Sequence, residues 1–210
     1  MVFRDNITGQ VLYWQFVKQE TLELYIFGIA EIARRGIKII AIVCDGKRGL
    51  LNYFKDTHIQ MCNFHQIAII RRYLTKKPKM EASKELWLIT LRLTKESKLV
   101  FELLLKEWKF KWEEFLNENS IDINGKKKYK HKKLRSAIRS LNTNLKWLYT
   151  WESNMEYTIP KTTNAIDGMF ADLKNKLRNH NGLSVQRKMK FVAEFFLHKE
   201  HSKVTKPPRK

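Results

Sequence analysis

The stretch Ile37-Lys38-Ile39-Ile40-Ala41-Ile42-Val43-Cys44-Asp45-Gly46 decides how this chain is read. From Ile37 to Cys44 it is almost continuously apolar and rich in Ile and Val, the pattern of a strand covered on both faces. It then stops on an acid and a glycine. At the carboxyl end of such a strand side chains emerge at the sheet edge, where ligands bind in open α/β folds. Asp45 is therefore a candidate metal or substrate ligand, and Gly46 leaves room for a close backbone or phosphate approach. The competing reading is that Asp-Gly simply opens a turn, with Asp45 capping the helix that follows.

Working outward from this run, the sequence predicts strands over 1–5 and 11–17, joined by a hairpin-like turn at Asn6-Ile7-Thr8-Gly9. Leu24, Phe27, Ile29 or Ala30, and Ala33 recur at helical spacing between Glu20 and Arg35, and Gly36 is placed to end that helix. Arg48–Phe54 reads as a short helix and Ile59–Cys62 as a short strand. After His65 the character changes to long helices. Phe101, Leu104, Leu105, Trp108, Trp112 and Phe115 form one apolar stripe, and Leu134, Ala137, Ile138, Leu141, Leu145 and Leu148 form a second. Between them the run Lys126–Lys133 reads as a solvated loop or as a phosphate contact through Lys126, Lys127 and Lys128. Pro160 closes the helical section, and a last helix is expected from near Asn164. The expected organisation is a sheet-bearing part over 1–65, a helical insertion over 66–160, a catalytic helix region over 161–200 and a basic tail over 201–210.

The charge balance is the strongest global signal. The chain carries 41 Lys and Arg against 21 Asp and Glu, a formal net charge of +20 over 210 residues. Such an excess on a chain with 43% hydrophobic residues, enough to bury a core, points to a polyanionic partner. Nucleic acid is favoured over an anionic membrane surface, because no helix is basic-amphipathic without also reading as core. No run approaches the ~20 apolar residues that span a bilayer, and no secretory signal is visible. Two cysteines are too few for a disulfide framework, which fits a reducing cytoplasm. Glycine-rich nucleotide loops and a nucleophile elbow are absent from the sequence.

A second Asp-Gly lies in Thr162-Thr163-Asn164-Ala165-Ile166-Asp167-Gly168. With Asn164 as N-cap, Asp167 takes the third helical position, where an acid favours the helix dipole. Asp167 also shares one expected face with Ala171, Lys174 and Arg178: a carboxylate followed by cations, suited to a metal site whose substrate is a phosphodiester. Cys62-Asn63-Phe64-His65 is half of a zinc site with no matching second pair, so a packed local motif is expected and a complete zinc site is not. His58 and His180 are unattached candidates.

As an ordered set, four segments resemble the DDE transposases of bacterial insertion sequences, in the branch related to the Mutator elements. They are Cys44-Asp45-Gly46-x-x-Gly49-Leu50; Gln60-Met61-Cys62-x-x-His65-Gln66; Arg71-Arg72-Tyr73-Leu74-Thr75-x-Lys77-Pro78; and Thr162-Thr163-Asn164-x-x-Asp167-Gly168 continuing to Leu177-Arg178-x-His180-x-Gly182-Leu183-Ser184. The resemblance runs from residue 1 to about 198. It implies an α/β fold with a ribonuclease H-like mixed sheet and a large all-α insertion, held in the bacterial cytoplasm. It further implies a polynucleotidyl transferase that cleaves transposon ends and joins them to target DNA, using two Mg²⁺ or Mn²⁺ ions. In that scheme Asp45 matches the second acid, Asp167 stands where the third belongs, and Cys62 and His65 match the branch's Cys-x-x-His motif. Lys174, Arg178, His180 and Lys126–Lys128 are the expected DNA contacts, with double-stranded DNA and a second copy of the chain as partners.

Two departures qualify the expectation. The third acid is usually Glu, and Asp167 is one methylene shorter. The family's first acid lies on a strand preceding residues 1–5, so the chain is expected to be a truncated copy lacking the central strand, with inactive DNA binding as the alternative function.

Overall fold

The computed structural model describes residues 1–201 apart from Lys55, Asp122 and Asn124. The expected tail over 201–210 thus falls, after His201, outside the described residues. In chain order the elements are β1 (Val2–Arg4), β2 (Val11–Trp14), α1 (Leu22–Arg34), β3 (Ala41–Cys44), α2 (Arg48–Tyr53), β4 (His58–Met61), α3 (Asn63–Leu74), α4 (Glu81–Leu91) and α5 (Lys98–Lys111). There follow α6 (Glu113–Asn117), β5 (Asn119–Ile121), β6 (Lys127–Tyr129), α7 (Lys132–Leu148), α8 (Thr150–Ser153), α9 (Asn164–Arg178) and α10 (Val185–His201). The chain is mixed α/β and mostly helical.

Two compact units divide it. The first joins Met1–Ile40 to the segment from Thr163 onward; the second is Ala41–Thr162. The strand pair β3–β4 is thereby grouped with the helices that follow it.

In the first unit β1 and β2 pair antiparallel, with Phe3 opposite Tyr13. Asp5 builds the turn between them: its carboxylate accepts from the amides of Ile7 (3.2 Å) and Thr8 (3.0 Å), and Gly9 follows at φ +75°. These bonds hold its carboxyl below the ordinary range against a burial cost that acts the other way. The hairpin lies on α1 through Phe3, which sits so close to Gly28 that a Cβ there would come within 2.4 Å of the ring. Thr21 caps α1 by accepting from the amide of Leu24 at 3.4 Å, and Gly36, at φ +78°, ends it as the sequence requires. The core of this unit is Val11, Met169, Leu173 and Phe196, so α9 and α10 cover the hairpin. The sequence reading did not separate α10 from the helix before it.

In the second unit β3 and β4 run parallel in register, Ala41 opposite His58 and Cys44 opposite Met61. The expected strand over Ile37–Cys44 is half that length. β4 starts at His58, the partner of Ala41, so residues 37–40 have no strand beside them among the described residues, and Ile37 and Ile40 are exposed. A single mixed sheet was expected; the described strands instead form three separate two-stranded ladders. The centres of both predicted helical stripes are buried, with Phe101, Leu105 and Trp108 on α5 and Leu134, Ala137, Ile138, Leu141 and Leu148 on α7. Leu104, Trp112, Phe115 and Leu145 are half-buried, and Trp112 and Phe115 lie beyond the end of α5. The Lys126–Lys133 run is not a plain loop: Lys127–Tyr129 is a strand paired with Asn119–Ile121, and Lys132 already begins α7.

Candidate functional site

Asp45 leaves β3 exposed to solvent, immediately beyond Cys44. The parallel register brings the ends of β3 and β4 side by side, and the amide of Cys62 donates to the carbonyl of Cys44 at 2.7 Å. Asp45, Cys62 and the start of α3 therefore share one edge, the carboxyl end of the strand pair. Gly46 turns the chain there at φ +96°, a conformation that side chains resist.

Both cysteines at this edge are buried. Burial pushes the Cys44 thiol up to about 11, with the neighbouring Asp45 carboxylate adding to it and a hydrogen bond from the Gly46 backbone opposing it. At neutral pH Cys44 stays a thiol, which disfavours it as a nucleophile.

Cys62 is the N-cap residue of α3, and His65 lies in its first turn, half-buried. The residues around them are buried polar clamps. The Gln60 side-chain amide donates to the carbonyls of Met61 (2.7 Å) and Leu148 (3.0 Å), and its oxygen accepts from the amide of Trp151 at 3.1 Å. Gln66 donates to Ser140 Oγ at 3.2 Å and accepts from Asn144 at 2.7 Å. The motif thus fastens β4 and α3 to α7 and α8. The sequence reading placed both glutamines in one motif segment and gave them no structural role; both are fully buried.

Asp167 lies in the first unit. Thr163, not Asn164, is the N-cap of α9, so Asp167 is the fourth helical residue, with its amide donating to the Thr163 carbonyl at 3.1 Å. Its carboxylate accepts from the Thr163 hydroxyl at 3.3 Å. Asp167, Ala171, Lys174 and Arg178 are all exposed along one face, as their spacing predicts. His180 follows the helix, its amide donating to Leu177 O at 3.1 Å and its ring 5.7 Å from that of Phe191. Gly168 is exposed with nothing within 4 Å of where a Cβ would stand.

Each unit therefore holds one of the two expected carboxylates. Among the described residues no three His, Cys, Asp or Glu side chains converge as a metal site. A two-ion site does not fit the residues of either unit taken alone.

Lys126, Lys127 and Lys128 are exposed. Lys127 and Lys128 line a concave surface of about 610 Å³ with Asn119, Tyr129, Lys132, Arg135, Ser136 and Arg139. The Arg135 guanidinium stacks on Tyr129 at 3.6 Å from the ring centroid and donates to Leu116 O at 2.9 Å, which fixes it in place. Lys132 belongs to the run already read as a possible phosphate contact, whereas Arg135 and Arg139 were missed in the sequence, although their spacing opposite the apolar stripe marks them. No helix among the described residues is long and apolar enough to cross a membrane.

No protein-family model, curated protein or solved structure matches the chain.

Proposed function

We propose that this chain acts on duplex DNA as part of an insertion-sequence transposase of ribonuclease H-like design, a polynucleotidyl transferase that works as a dimer or larger assembly in the bacterial cytoplasm. The observation that carries this reading is the placement of Asp45, exposed at the carboxyl end of a parallel strand pair and followed by a glycine at positive φ. The ordered motifs that resemble the Mutator-related transposases support it, and so does the net charge of +20. Asp167, on an exposed helical face with Lys174 and Arg178, is the second proposed acid. Mg²⁺ or Mn²⁺, as the resemblance implies, is the ion that each of these two carboxylates would help to hold.

A second reading is favoured by one observation: the described residues hold no cluster of three acidic or metal-binding side chains. On that reading the chain binds DNA, or a second transposase copy, without cutting, and acts as an inhibitor of transposition.

One experiment separates them. Purified protein is incubated with supercoiled DNA and Mg²⁺ or Mn²⁺, alongside Asp45→Asn and Asp167→Asn. Metal-dependent nicking that both variants abolish supports the transposase. DNA binding without nicking in any of the three proteins supports the inhibitor.

A further inference from the structure

We propose that the concave surface between the β5–β6 ribbon and α7 is a binding site for the phosphate backbone of duplex DNA, formed within the helical insertion and independent of Asp45 and Asp167. The inference rests on the reading of the chain as a DNA-acting protein, but not on its being catalytic.

The first argument is the charge of α7. Its sequence holds five cations and no acid. Lys132, Arg135, Ser136 and Arg139 follow the spacing of one helical face, opposite the buried Leu134, Ala137, Ile138 and Leu141. Continuing that face reaches Thr143 and the exposed Lys146, so the basic stripe extends roughly 20 Å along the helix. Such a length matches several phosphates of a backbone, not one small anion.

The second argument is where the cations sit. The first turn of α7 carries Lys132 and Lys133 and no acidic residue, and the N-cap residue His131 makes no side-chain cap. Its ring is turned instead to Glu118, 3.1 Å away. Lysines at the positive end of a helix dipole are unfavourable in the free protein and become favourable when an anion occupies that end. The ribbon brings Lys127 and Lys128 to the same surface, and no described residue that lines it is acidic.

The third argument selects duplex over single strand. Single-stranded sites depend on open aromatic faces on which bases stack. The one ring lining this surface is Tyr129, and Arg135 already covers a face of it. What remains is a row of cations, which contacts phosphates without reading bases.

The test uses the full chain and a short labelled duplex, with affinity followed by anisotropy between roughly 50 and 200 mM salt. The variant Lys127→Gln/Lys132→Gln/Arg139→Gln is compared with Lys106→Gln/Lys109→Gln/Lys188→Gln, which removes the same charge from exposed positions on α5 and α10. The groove variant is expected to bind at least about tenfold more weakly and to flatten the log–log salt slope by about 2.7, or about 0.9 for each lost phosphate contact. The control variant should stay close to the parent, and Lys132→Arg/Arg139→Lys should bind as the parent does. Equal loss in both glutamine variants, no loss in the groove variant, or tighter binding to a single strand of the same sequence overturns the proposal. Binding that depends on the groove in a protein showing no metal-dependent nicking leaves this site standing and removes the catalytic reading instead.

Discussion

Gly46 and Met61 share one small space at the end of the parallel strand pair: a Cβ on Gly46 would stand 2.5 Å from Met61 Cε. Met61 is fully buried, so its thioether has no solvent to move into. Gly46 also sits at φ +96°, which L side chains rarely adopt. Gly46→Ala combines left-handed strain with overpacking and should cost about 2–4 kcal/mol of stability. Urea denaturation reads this directly, and a variant as stable as the parent would refute the account.

Gly168 behaves in the opposite way. It lies inside α9, exposed, with open space where a Cβ would be. A glycine in an exposed helix interior weakens it by about 1 kcal/mol relative to alanine. Gly168→Ala should therefore raise stability by about that amount. If the helix approaches a DNA backbone beside Asp167, the same variant should lower DNA binding while the melting temperature rises. A gain in both would show that the glycine has no part in the site.

Gln60 is a third case in which burial sets the sign. Its amide serves the carbonyls of Met61 and Leu148 and the amide of Trp151 from a fully buried position. Gln60→Leu keeps most of the volume and strands those backbone groups in a dry interior. The expected loss is about 2–4 kcal/mol, since unsatisfied buried partners retain their full desolvation penalty. Thermal unfolding should show it as a clear drop in melting temperature, and an unchanged value would mean that water reaches these groups.

What the sequence made legible follows from which interactions are local. The β1–β2 hairpin, the stop at Gly36, and the buried stripes of α5 and α7 are set by turn chemistry and helical periodicity, and the structure has them. Ile37–Ile40 looks like strand because it is apolar, but a strand lasts only as long as its partner, and β4 begins opposite Ala41. Lys127–Tyr129 becomes a strand because Asn119–Ile121 pairs with it, which composition does not reveal. The exposure of Asp45, and separately that of the face carrying Asp167, Lys174 and Arg178, was readable in the sequence. The polar clamps of Gln60 and Gln66 were not, because their partners on α7 and α8 lie some 70 to 90 residues away in the chain. Lys132 and Arg139 acquire a role only once the ribbon is folded beside them.

Alkaline pH offers a separate check on the strand edge. Burial is the main cause that lifts the Cys44 thiol from its ordinary 9.0 to about 11. Between these values the unfolded chain releases a proton that the folded chain keeps. The stabilising effect of the buried thiol is thus complete below pH 9 and is lost as pH rises toward 11, at no more than about 1.4 kcal/mol per pH unit. The Tyr149 hydroxyl, also raised mainly by burial and donating to Leu93 O at 3.4 Å, acts in the same direction at higher pH. Cys44→Ala should flatten the decline in unfolding free energy from pH 9 upward, whereas Tyr149→Phe should leave the decline between pH 9 and 10 largely unchanged and flatten it only above pH 10. A Cys44→Ala protein that loses stability as steeply as the parent would mean that the thiol at the end of β3, beside the exposed Asp45, is itself open to water.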